Sequence, residues 1–581
     1  MMIPVRSYLQ LLARHLRPQG GRVAVLAALV AASIALQLAG PQLVKTFIDR
    51  AVAGRPAGEL VRIAGVFIGL TVTHQGVAVG AAYLAETIGW TATNRLRAEL
   101  TAHVLALDLG FHERHPPGAL IERIDGDVSA LSNFFSAMIL EIVGNGALVT
   151  GIVVLVWLET PAVGIGLVAL VVVGGLVSGH LHRIAVPWWR RVRASSAEFF
   201  GVVAEQAEGT EDVVANGAAD FMLGRLAALL RRWLPETIRG WSGWALLWSA
   251  SVILYVTSLV LTFVFGWRLF GIGALGVGSV YLLLQYVQMM HHPIEEMREQ
   301  LVDLQKAGAS IDRVAALLAT EPDLRVAGNR RLPDGPLAVE FDAVTFSYDG
   351  DGRDVTLHDV SFILAPGRVL GLLGRTGSGK STIARLVTRL YDPRRGEVRI
   401  GGVPTWELAV TELRRRVGMV TQDVQIFRAT VRDNLTLFDP AVPDARLVEA
   451  IGGLGLDGWL AGLPEGLDTI VGPDDLSAGQ AQLLAFTRVF LLDPGVVVLD
   501  EASSRLDPAT ERLIERAVDH LLTGRTGIVI AHHLATVERA DDICIVEEGR
   551  IVEFGARAAL VADPRSRLSR LLETGMEEVL R

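Results

Sequence analysis

One stretch of the chain has residue types and spacing that suit phosphate binding. It fits the pattern G-x-x-x-x-G-K-[ST] and consists of Gly374, Arg375, Thr376, Gly377, Ser378, Gly379, Lys380 and Ser381. The apolar run before it predicts a buried strand, and the run through Thr382 predicts a helix. Backbone N–H groups and the positive helix end would hold an oligophosphate, with Lys380 on the outer phosphates and Ser381 on Mg²⁺. The alternative is a glycine-rich turn that fits the pattern by chance.

Two adjacent carboxylates supply the other half of this chemistry. Four apolar residues, 496–499, lead directly into Asp500 and Glu501, about 120 residues after the phosphate loop. Such a run predicts a buried parallel strand that presents its acids at the edge where these sheets bind ligands. We expect Asp500 to hold Mg²⁺ and Glu501 to orient and polarise an attacking water, as phosphoryl transfer requires. The alternative is a pair of acids that caps the exit of a strand.

The composition indicates membrane helices and argues against a soluble enzyme, a nucleic-acid-binding protein and a disulfide-bonded protein. The 581 residues are 51% apolar, with a mean hydropathy of +0.40, which is too apolar for an ordinary soluble enzyme. The net charge of −9 comes without a long basic run, so we expect no nucleic-acid partner. Cys544 is the single cysteine, so an internal disulfide is excluded and a packed free thiol is expected.

Six apolar stretches have about the length that crosses a bilayer, and they are residues 23–44, 63–84, 134–158, 161–179, 241–265 and 276–292. The third contains Glu141 and is the weakest by hydropathy. Short loops follow the first, third and fifth stretches. The other side carries most of the charge, including Arg183, Arg190, Arg191 and Arg193, which places it in the cytoplasm. We predict a multi-pass protein of the plasma (inner) membrane, with a cytoplasmic amphipathic helix over residues 1–21.

Long helical extensions are predicted on the cytoplasmic side. The helical pattern runs on over residues 85–109, which is roughly 35 to 40 Å at the α-helical rise. His115-Pro116-Pro117-Gly118 breaks it before a short element, 119–123, that is well placed to touch a cytoplasmic domain. A second such tip is expected near residues 213–221. The alternative for either tip is a solvated hairpin turn.

A change in composition divides the chain. Residues 319–336 are rich in proline, glycine and charge, which is typical of a linker. Strands then alternate with helices, which predicts an α/β domain with a largely parallel sheet. We therefore predict a multidomain protein with an all-α, six-helix transmembrane domain at 1–318, a linker at 319–336 and an α/β P-loop domain at 337–581.

Further segments give the chain a specific resemblance. Five consecutive residues resemble the signature loop of ABC-type ATPases: Leu476, Ser477, Ala478, Gly479 and Gln480. Four more positions match that family: Tyr348, Gln422, Asp507 and His532. The resemblance implies that the first stacks on adenine, the second contacts Mg²⁺, the third crosses a dimer junction and the fourth senses the γ-phosphate. With six spans ahead of its P-loop ATPase domain, the chain is similar to an ABC exporter half-transporter, which implies ATP and Mg²⁺ as cofactors.

The resemblance also implies a dimer. In that family, the signature loop of one chain closes over the nucleotide that the phosphate loop of the other chain holds. Residues 477–480 and Asp507 would thus act in trans, whereas Lys380, Glu501 and His532 would be catalytic. The helix after Gly479 would offer N–H groups and a positive dipole to the γ-phosphate. Closure and reopening of this clamp would drive the membrane helices through alternating access.

Three positions depart from the family pattern. Ala478 stands where glycine is commonest, Ala481 replaces the usual basic residue, and His533 stands where arginine is usual. Glu501 is intact. This combination resembles one partner of heterodimeric exporters, so the analogy favours a heterodimer over a homodimer.

Polar residues within the spans either face a central cavity or bond a neighbouring helix. They are His74, Gln75, Asn145, Gln285, Gln288, His291 and His292. Because apolar residues dominate and no dense charge cluster is present, we expect an amphipathic or lipid-like cargo, whether a small molecule, a lipid or a peptide. Two alternatives stay open: an ATP-gated channel or regulatory membrane subunit, and an importer with an exporter-like fold.

Overall fold

The computed structural model describes residues 17–324, 328–348, 354–500, 508–530 and 534–574. The chain separates into two compact units. The membrane unit comprises Met1–Leu105 and Gly118–Ala319, and the ATPase unit comprises Ala106–Pro117 and Thr320–Arg581. The second unit thus includes a short piece of chain from between the second and third predicted spans.

Long helices dominate the first half of the chain. In order, the helices are α1 Gly20–Val52, α2 Ala57–Ala106, α3 Leu109–Arg114, α4 Pro117–Ile121, α5 Asp127–Ala137, α6 Asn145–Glu159, α7 Pro161–Glu208, α8 Thr210–Ala215, α9 Ala219–Gly271 and α10 Val277–Leu318. A 3₁₀ turn, Arg17–Gln19, precedes α1, and wide π-helical turns at Glu122–Gly126 and Met138–Gly144 flank α5. The turns after α1, α6 and α9 are short, as the sequence predicts.

Five helical segments of the described residues are long and apolar enough to cross a membrane. They are Arg17–Val52, Ala57–Ala106, Leu140–Glu159, Pro161–Glu208 and Ala219–Gly271, and they correspond to the first five predicted spans. The sixth predicted span, 276–292, forms the first part of α10. Its glutamines and histidines lower the hydropathy of that segment, so the number of six spans stays a prediction.

Close helix packing in the membrane unit depends on small residues. A Cβ atom added at Gly243 of α9 would lie 3.0 Å from the ring of Trp188 and 3.2 Å from the Cβ of Ala185, both on α7. Glycine therefore lets these two helices approach closely. Elsewhere in this unit the buried Tyr286 of α10 donates its hydroxyl to the carbonyl of Leu38 on α1 at 2.9 Å, which satisfies a polar group in an apolar core.

The two predicted tips have different outcomes. The second lies where it was predicted, since α8 and a turn at Gly217 separate α7 from α9. For the first, the short element that belongs to the ATPase unit is α3, which precedes the break, whereas residues 119–123 belong to the membrane unit, so their contact with a cytoplasmic domain stays a prediction. Helix α3 is capped by Asp108, whose Oδ1 accepts from the N–H of Phe111 at 3.0 Å.

Among its described residues, the ATPase unit contains three sheets and short helices. Its strands are β1 Val339–Phe346, β2 Leu357–Leu364, β3 Val369–Leu373, β4 Arg395–Ile400, β5 Val403–Pro404, β6 Val417–Val420, β7 Ala429–Thr430, β8 Ile470–Val471, β9 Val496–Asp500, β10 Thr526–Ile530, β11 Asp542–Glu547 and β12 Arg550–Ala556. Its helices are α11 Lys380–Val387, α12 Val410–Arg416, α13 Val431–Thr436, α14 Asp444–Gly453, α15 Asp457–Ala461, α16 Ala478–Leu492, α17 Pro508–Leu522, α18 Leu534–Arg539, α19 Arg557–Ala562 and α20 Arg567–Thr574.

The main sheet has the order β12-β11-β3-β10-β9-β6, and all its strands except β12 run parallel. Strands β3, β9 and β10 are apolar almost throughout because both faces are buried. This confirms the predicted α/β fold with a largely parallel sheet. The sequence pattern did not predict the separate antiparallel sheet β2-β1-β4-β5, which packs onto the same core.

Candidate nucleotide-binding site

The phosphate loop joins β3 to α11, as the sequence predicts. Its backbone needs glycine at both ends: Gly374 has a φ of +148° and Gly379 has a φ of +108°. A Cβ at Gly374 would lie 2.2 Å from the carbonyl oxygen of Val546, and one at Gly379 would lie 2.6 Å from a methyl of Leu357. The loop is therefore wrapped tightly by neighbouring backbone and side chains, which fixes the direction of its N–H groups.

Lys380 is buried within this loop, with 5% of its surface exposed. Its Nζ donates to the carbonyl oxygens of Gly374 at 2.6 Å and Arg375 at 2.9 Å. Both carbonyls come from the loop itself, so the ammonium is held over the loop by its own backbone. A buried cation at a helix N-terminus favours a polyanion as ligand.

Ser378 gives independent evidence that the loop fits a ligand. Its hydroxyl is buried and has no hydrogen-bond partner among the described residues. A buried polar atom without a partner is costly, and native structures seldom keep one without a reason. A phosphate oxygen would supply the missing partner.

The predicted metal-binding residues lie at one edge of the main sheet. Asp500 ends β9, and Gln422 follows β6 by two residues. Val420 pairs with Leu499 and Ile530 pairs with Asp500, so the carboxyl ends of β6, β9 and β10 are aligned. Strand β3, which leads into the loop and Ser381, ends at the same edge. Oxygen donors that gather there suit Mg²⁺.

Tyr348, the predicted adenine-stacking residue, lies beside the phosphate loop. Its hydroxyl is 3.0 Å from the Oγ1 of Thr382 on α11. The guanidinium carbon of Arg385 lies 5.7 Å from the centre of the Tyr348 ring, on one face. The ring also meets Phe346 and Tyr391 at nearly right angles, with centroids 4.9 Å and 5.2 Å away. These contacts fix the ring at the edge of the loop.

The signature loop begins a helix with a complete N-terminal cap. The Oγ of Ser477 accepts from the N–H of Gln480 at 3.3 Å, and the Oε1 of Gln480 accepts from the N–H of Ser477 at 2.9 Å. Ser477 and Ala478 are exposed, whereas Gly479 is buried. The start of α16 is thus capped by its own side chains, and its first two residues are exposed.

Three of the predicted site residues lie outside the described residues: Glu501, Asp507 and His532. In sequence, Glu501 directly follows β9 and His532 comes two residues after β10. A set of residues that the sequence reasoning missed surrounds Tyr348, namely Glu113, Arg385 and Tyr391. The single sequence carries no signal for this set, because its members are up to 278 positions apart.

The polar residues of the predicted spans were expected either to face a central cavity or to bond a neighbouring helix, and examples of both arrangements are present. Asn145 of α6 donates to Glu296 of α10 at 2.7 Å, which joins two helices, whereas His292 lies 2.9 Å from the same carboxylate on its own helix. His74 and Gln285 line a cavity of about 280 Å³ between α1, α2 and α10, and His291 lines a larger one. Gln75 and Gln288 are exposed.

Comparisons with known proteins agree with this architecture. Residues 23–294 match the family model of the ABC transporter transmembrane region, and residues 357–504 match that of the ABC transporter. The ATP-dependent lipid A-core flippase of Pseudoalteromonas atlantica is 30% identical over 490 residues, which are 82% of each chain. The multidrug efflux ATP-binding/permease protein of Mycobacterium tuberculosis is 31% identical over 556 residues, 95% of this chain and 46% of that protein. A bacterial Atm1-family ABC exporter with ATP bound has a TM-score of 0.78 over 97% of both chains, at 24% identity.

A helical membrane unit and a P-loop unit in one chain define an ATP-hydrolysing membrane transporter. The chain belongs to the ABC transporter family, as a half-transporter of the exporter type. Its membrane unit corresponds to the transmembrane region of that family, and its phosphate loop lies within the residues that match the ABC transporter model.

Proposed function

We propose that the chain is one half of a dimeric exporter that moves an amphipathic or lipid-like molecule by alternating access. We place it in the plasma (inner) membrane, with the ATPase unit and the N-terminus in the cytoplasm. The proposed class of cargo depends on a cavity of about 400 Å³ within the membrane unit. It is mostly apolar with a few polar groups, as small-molecule sites usually are.

The cavity lies among α6, α7, α9 and α10. Its apolar wall includes Val149, Leu167, Val171, Leu254, Val287 and Met290. One part of the lining is polar: Glu295 accepts from Arg298 at 2.9 Å and 2.7 Å and from the hydroxyl of Ser251. His291 stacks on Tyr255 with ring centres 4.4 Å apart. A molecule with an apolar body and a polar head fits a cavity that has an apolar wall and one polar end.

The depth of the polar groups supports a cargo from the inner leaflet. Glu295 lies eighteen residues into α10, which begins at Val277 on the predicted outer side. At the α-helical rise that is about 27 Å, close to the thickness of the hydrocarbon core. The polar groups would therefore lie level with the cytoplasmic headgroups while the apolar wall lies at the level of the acyl chains.

The functions of two relatives agree with this class of cargo. One is a lipid A-core flippase and the other a multidrug efflux protein. Lipid A-core and many drugs share an amphipathic character, which is also what the cavity favours. We take from these relatives the class of cargo and not its identity.

For hydrolysis we propose roles for this chain's own residues. The loop from Gly374 to Thr382 and the Lys380 ammonium hold the phosphates, and Tyr348 stacks on the base. Glu501 orients the attacking water, and His532 contacts the γ-phosphate. Ser381, Gln422 and Asp500 would hold Mg²⁺, which neutralises charge on the phosphates when bound.

A second chain would complete each site. The capped start of α16, residues 477–480, and Asp507 would close over the partner's nucleotide. Ala478 and Ala481 favour pairing with a different half-transporter. If so, mixing with that partner should raise ATPase activity per chain above that of the protein purified alone. Equal activity of the isolated chain, with no rise on adding a partner encoded nearby, would reject the heterodimer.

Reconstitution into vesicles tests the proposal as a whole. The full-length protein should show vanadate-sensitive ATPase activity and should move fluorescent phospholipids or lipophilic dyes across the bilayer only with ATP. Glu501→Gln should abolish both activities while ATP still binds. ATP-dependent ion current without transport of any amphiphile would instead favour a channel, and transport in the opposite direction would favour an importer.

A further inference from the structure

Helix α3 is fastened inside the ATPase unit by its two ends. At its N-terminus, the Oδ2 of Asp108 accepts from the N–H of Asp323 at 2.5 Å. At its C-terminus, Arg114 donates to the Oδ2 of the same Asp323 at 3.2 Å. Phe111 is buried between them and stacks on His115 with ring centres 4.3 Å apart. Both ends of α3 are therefore bonded to Asp323, which fixes the position of the helix within the ATPase unit.

Glu113 of α3 makes two contacts with residues near the nucleotide site. Its Oε1 accepts from Arg385 at 3.1 Å, and its Oε2 accepts from the hydroxyl of Tyr391 at 2.7 Å. The ring of Tyr391 lies against Gly110, where an added Cβ would come within 3.3 Å of it. The Glu113 carboxylate thus accepts from the Arg385 guanidinium on α11 and from the Tyr391 phenol, whose ring packs against α3.

Arg385 continues the connection toward the nucleotide site. The same Nη1 that donates to Glu113 also lies 3.3 Å from the hydroxyl of Tyr348, and the guanidinium covers one face of that ring. The Tyr348 hydroxyl in turn contacts Thr382, the residue after the phosphate loop. A continuous series of contacts therefore runs from α3 to the ring that we propose as the base-stacking residue.

Tyr391 and Arg385 each keep one protonation state near neutral pH. Burial raises the pKa of Tyr391, and the neighbouring Glu113 carboxylate raises it further, so the phenol stays a neutral donor. Burial lowers the pKa of Arg385, but Tyr348 and Glu113 more than offset this, so the pKa of Arg385 is raised and it stays a cation. Neither Tyr391 nor Arg385 therefore changes its charge near neutral pH.

We propose that Glu113, Arg385 and Tyr391 are positioning residues that hold the Tyr348 ring for base stacking, so that seating of α3 and binding of the nucleotide base favour each other. This proposal rests on the proposed role of Tyr348. The effect must be reciprocal, because a coupling between two binding events has one free energy. The guanidinium of Arg385 lies over one face of the ring.

The test compares a ligand that has a base with one that lacks it. In the full-length protein in nanodiscs, Glu113→Gln should raise the KM for ATP roughly fivefold, within the range usual for such coupling. Inhibition by inorganic tripolyphosphate, which has no base, should change less than twofold. An equal change for both ligands, or no change for either, would overturn the proposal.

Matched variants keep the outcome interpretable. Tyr391→Phe preserves the ring on Gly110 and removes only the hydroxyl, so it should shift the KM for ATP in the same direction by about twofold. Arg114→Gln removes a different ion pair of α3 and should leave the ratio between the two ligands unchanged. A shift in that ratio for Arg114→Gln as large as for Glu113→Gln would show a general loosening of α3 and reject the specific role.

Two further measurements separate this proposal from the site assignment. Tyr348→Ala should itself weaken the binding of ATP but not that of tripolyphosphate. If ATP binding is unchanged, the base-stacking assignment fails, and the positioning role fails with it. If Tyr348→Ala behaves as expected but Glu113→Gln does not, only the positioning role fails. In a double-mutant cycle, Glu113→Gln with Arg385→Gln should be no worse than Arg385→Gln alone, and additive effects would contradict the series.

Discussion

The two units hold their charged groups in different ways. In the ATPase unit, the Lys380 ammonium is bonded by the carbonyls of Gly374 and Arg375, which belong to the same loop. In the membrane unit, Glu295 is bonded by Arg298 of its own helix and by Ser251, 44 positions earlier on α9. The first arrangement is written in eight consecutive residues. The second forms only when helices that are distant in sequence pack together. The phosphate loop is therefore a local site, made by consecutive residues, and the cavity is an assembled site, made by residues from several helices.

The contrast predicts the largest effect at the local site. Lys380→Met removes the ammonium that the carbonyls of Gly374 and Arg375 hold in the loop. We expect ATPase activity to fall at least a hundredfold, the usual loss when a charge-stabilising group is removed. Vanadate-sensitive phosphate release measures this. Arg414→Gln, an exposed position on α12, serves as the control and should retain activity. If Lys380→Met kept more than a tenth of the activity, the loop would not be the hydrolytic site.

A smaller and more selective effect is expected at the assembled site. Gly174 of α7 lines the 400 Å³ cavity, and a Cβ there would reach within 3.4 Å of Leu254. Gly174→Leu should fill part of the cavity and reduce transport of a fluorescent amphiphile roughly tenfold, about what a few lost apolar contacts cost. Basal ATPase activity should stay within twofold, because the loop is untouched.

The same helix provides a matched control. A Cβ at Gly166 meets no atom within 4 Å, so Gly166→Leu adds the same side chain toward open space. Its transport rate should equal that of the original protein. Equal losses for the two variants would mean that the cavity is not the cargo site, and a parallel loss of ATPase activity would point to misfolding instead.

The difference between the units also explains what the sequence could predict. The phosphate loop and the strand that ends at Asp500 are local patterns, and each predicted the right element. The pattern did not predict α3 as a separate helix, because the helical period runs through the cap at Asp108 without a visible break. The surroundings of Tyr348 could not be predicted, since Glu113 and Tyr391 are 278 positions apart and single sequences carry no pairing signal.

Ser378 sharpens the contrast within the ATPase unit. Its buried hydroxyl has no partner among the described residues, so removing it should cost nothing in the ligand-free protein. Ser378→Ala should leave the ligand-free unfolding midpoint unchanged or slightly higher, while it raises the KM for ATP about threefold by removing one contact to phosphate. A fall in the ligand-free midpoint with an unchanged KM would mean that the hydroxyl stabilises the fold and not the ligand.

The smallest expected effect concerns Cys544, buried in β11 beside the strand that leads into the loop. Burial raises the pKa of its thiol to about 12, against an ordinary value of about 8.5. Below pH 8 the thiol is protonated in both folded and unfolded states and does not affect the pH dependence of stability. Above that pH only the unfolded thiol loses its proton, so the free energy of unfolding should fall by up to about 1.4 kcal/mol per pH unit. Thermal unfolding between pH 8 and 9.5 should therefore show a steeper loss for the original protein than for Cys544→Ala, and equal slopes would mean that the thiol is accessible in the folded ATPase unit.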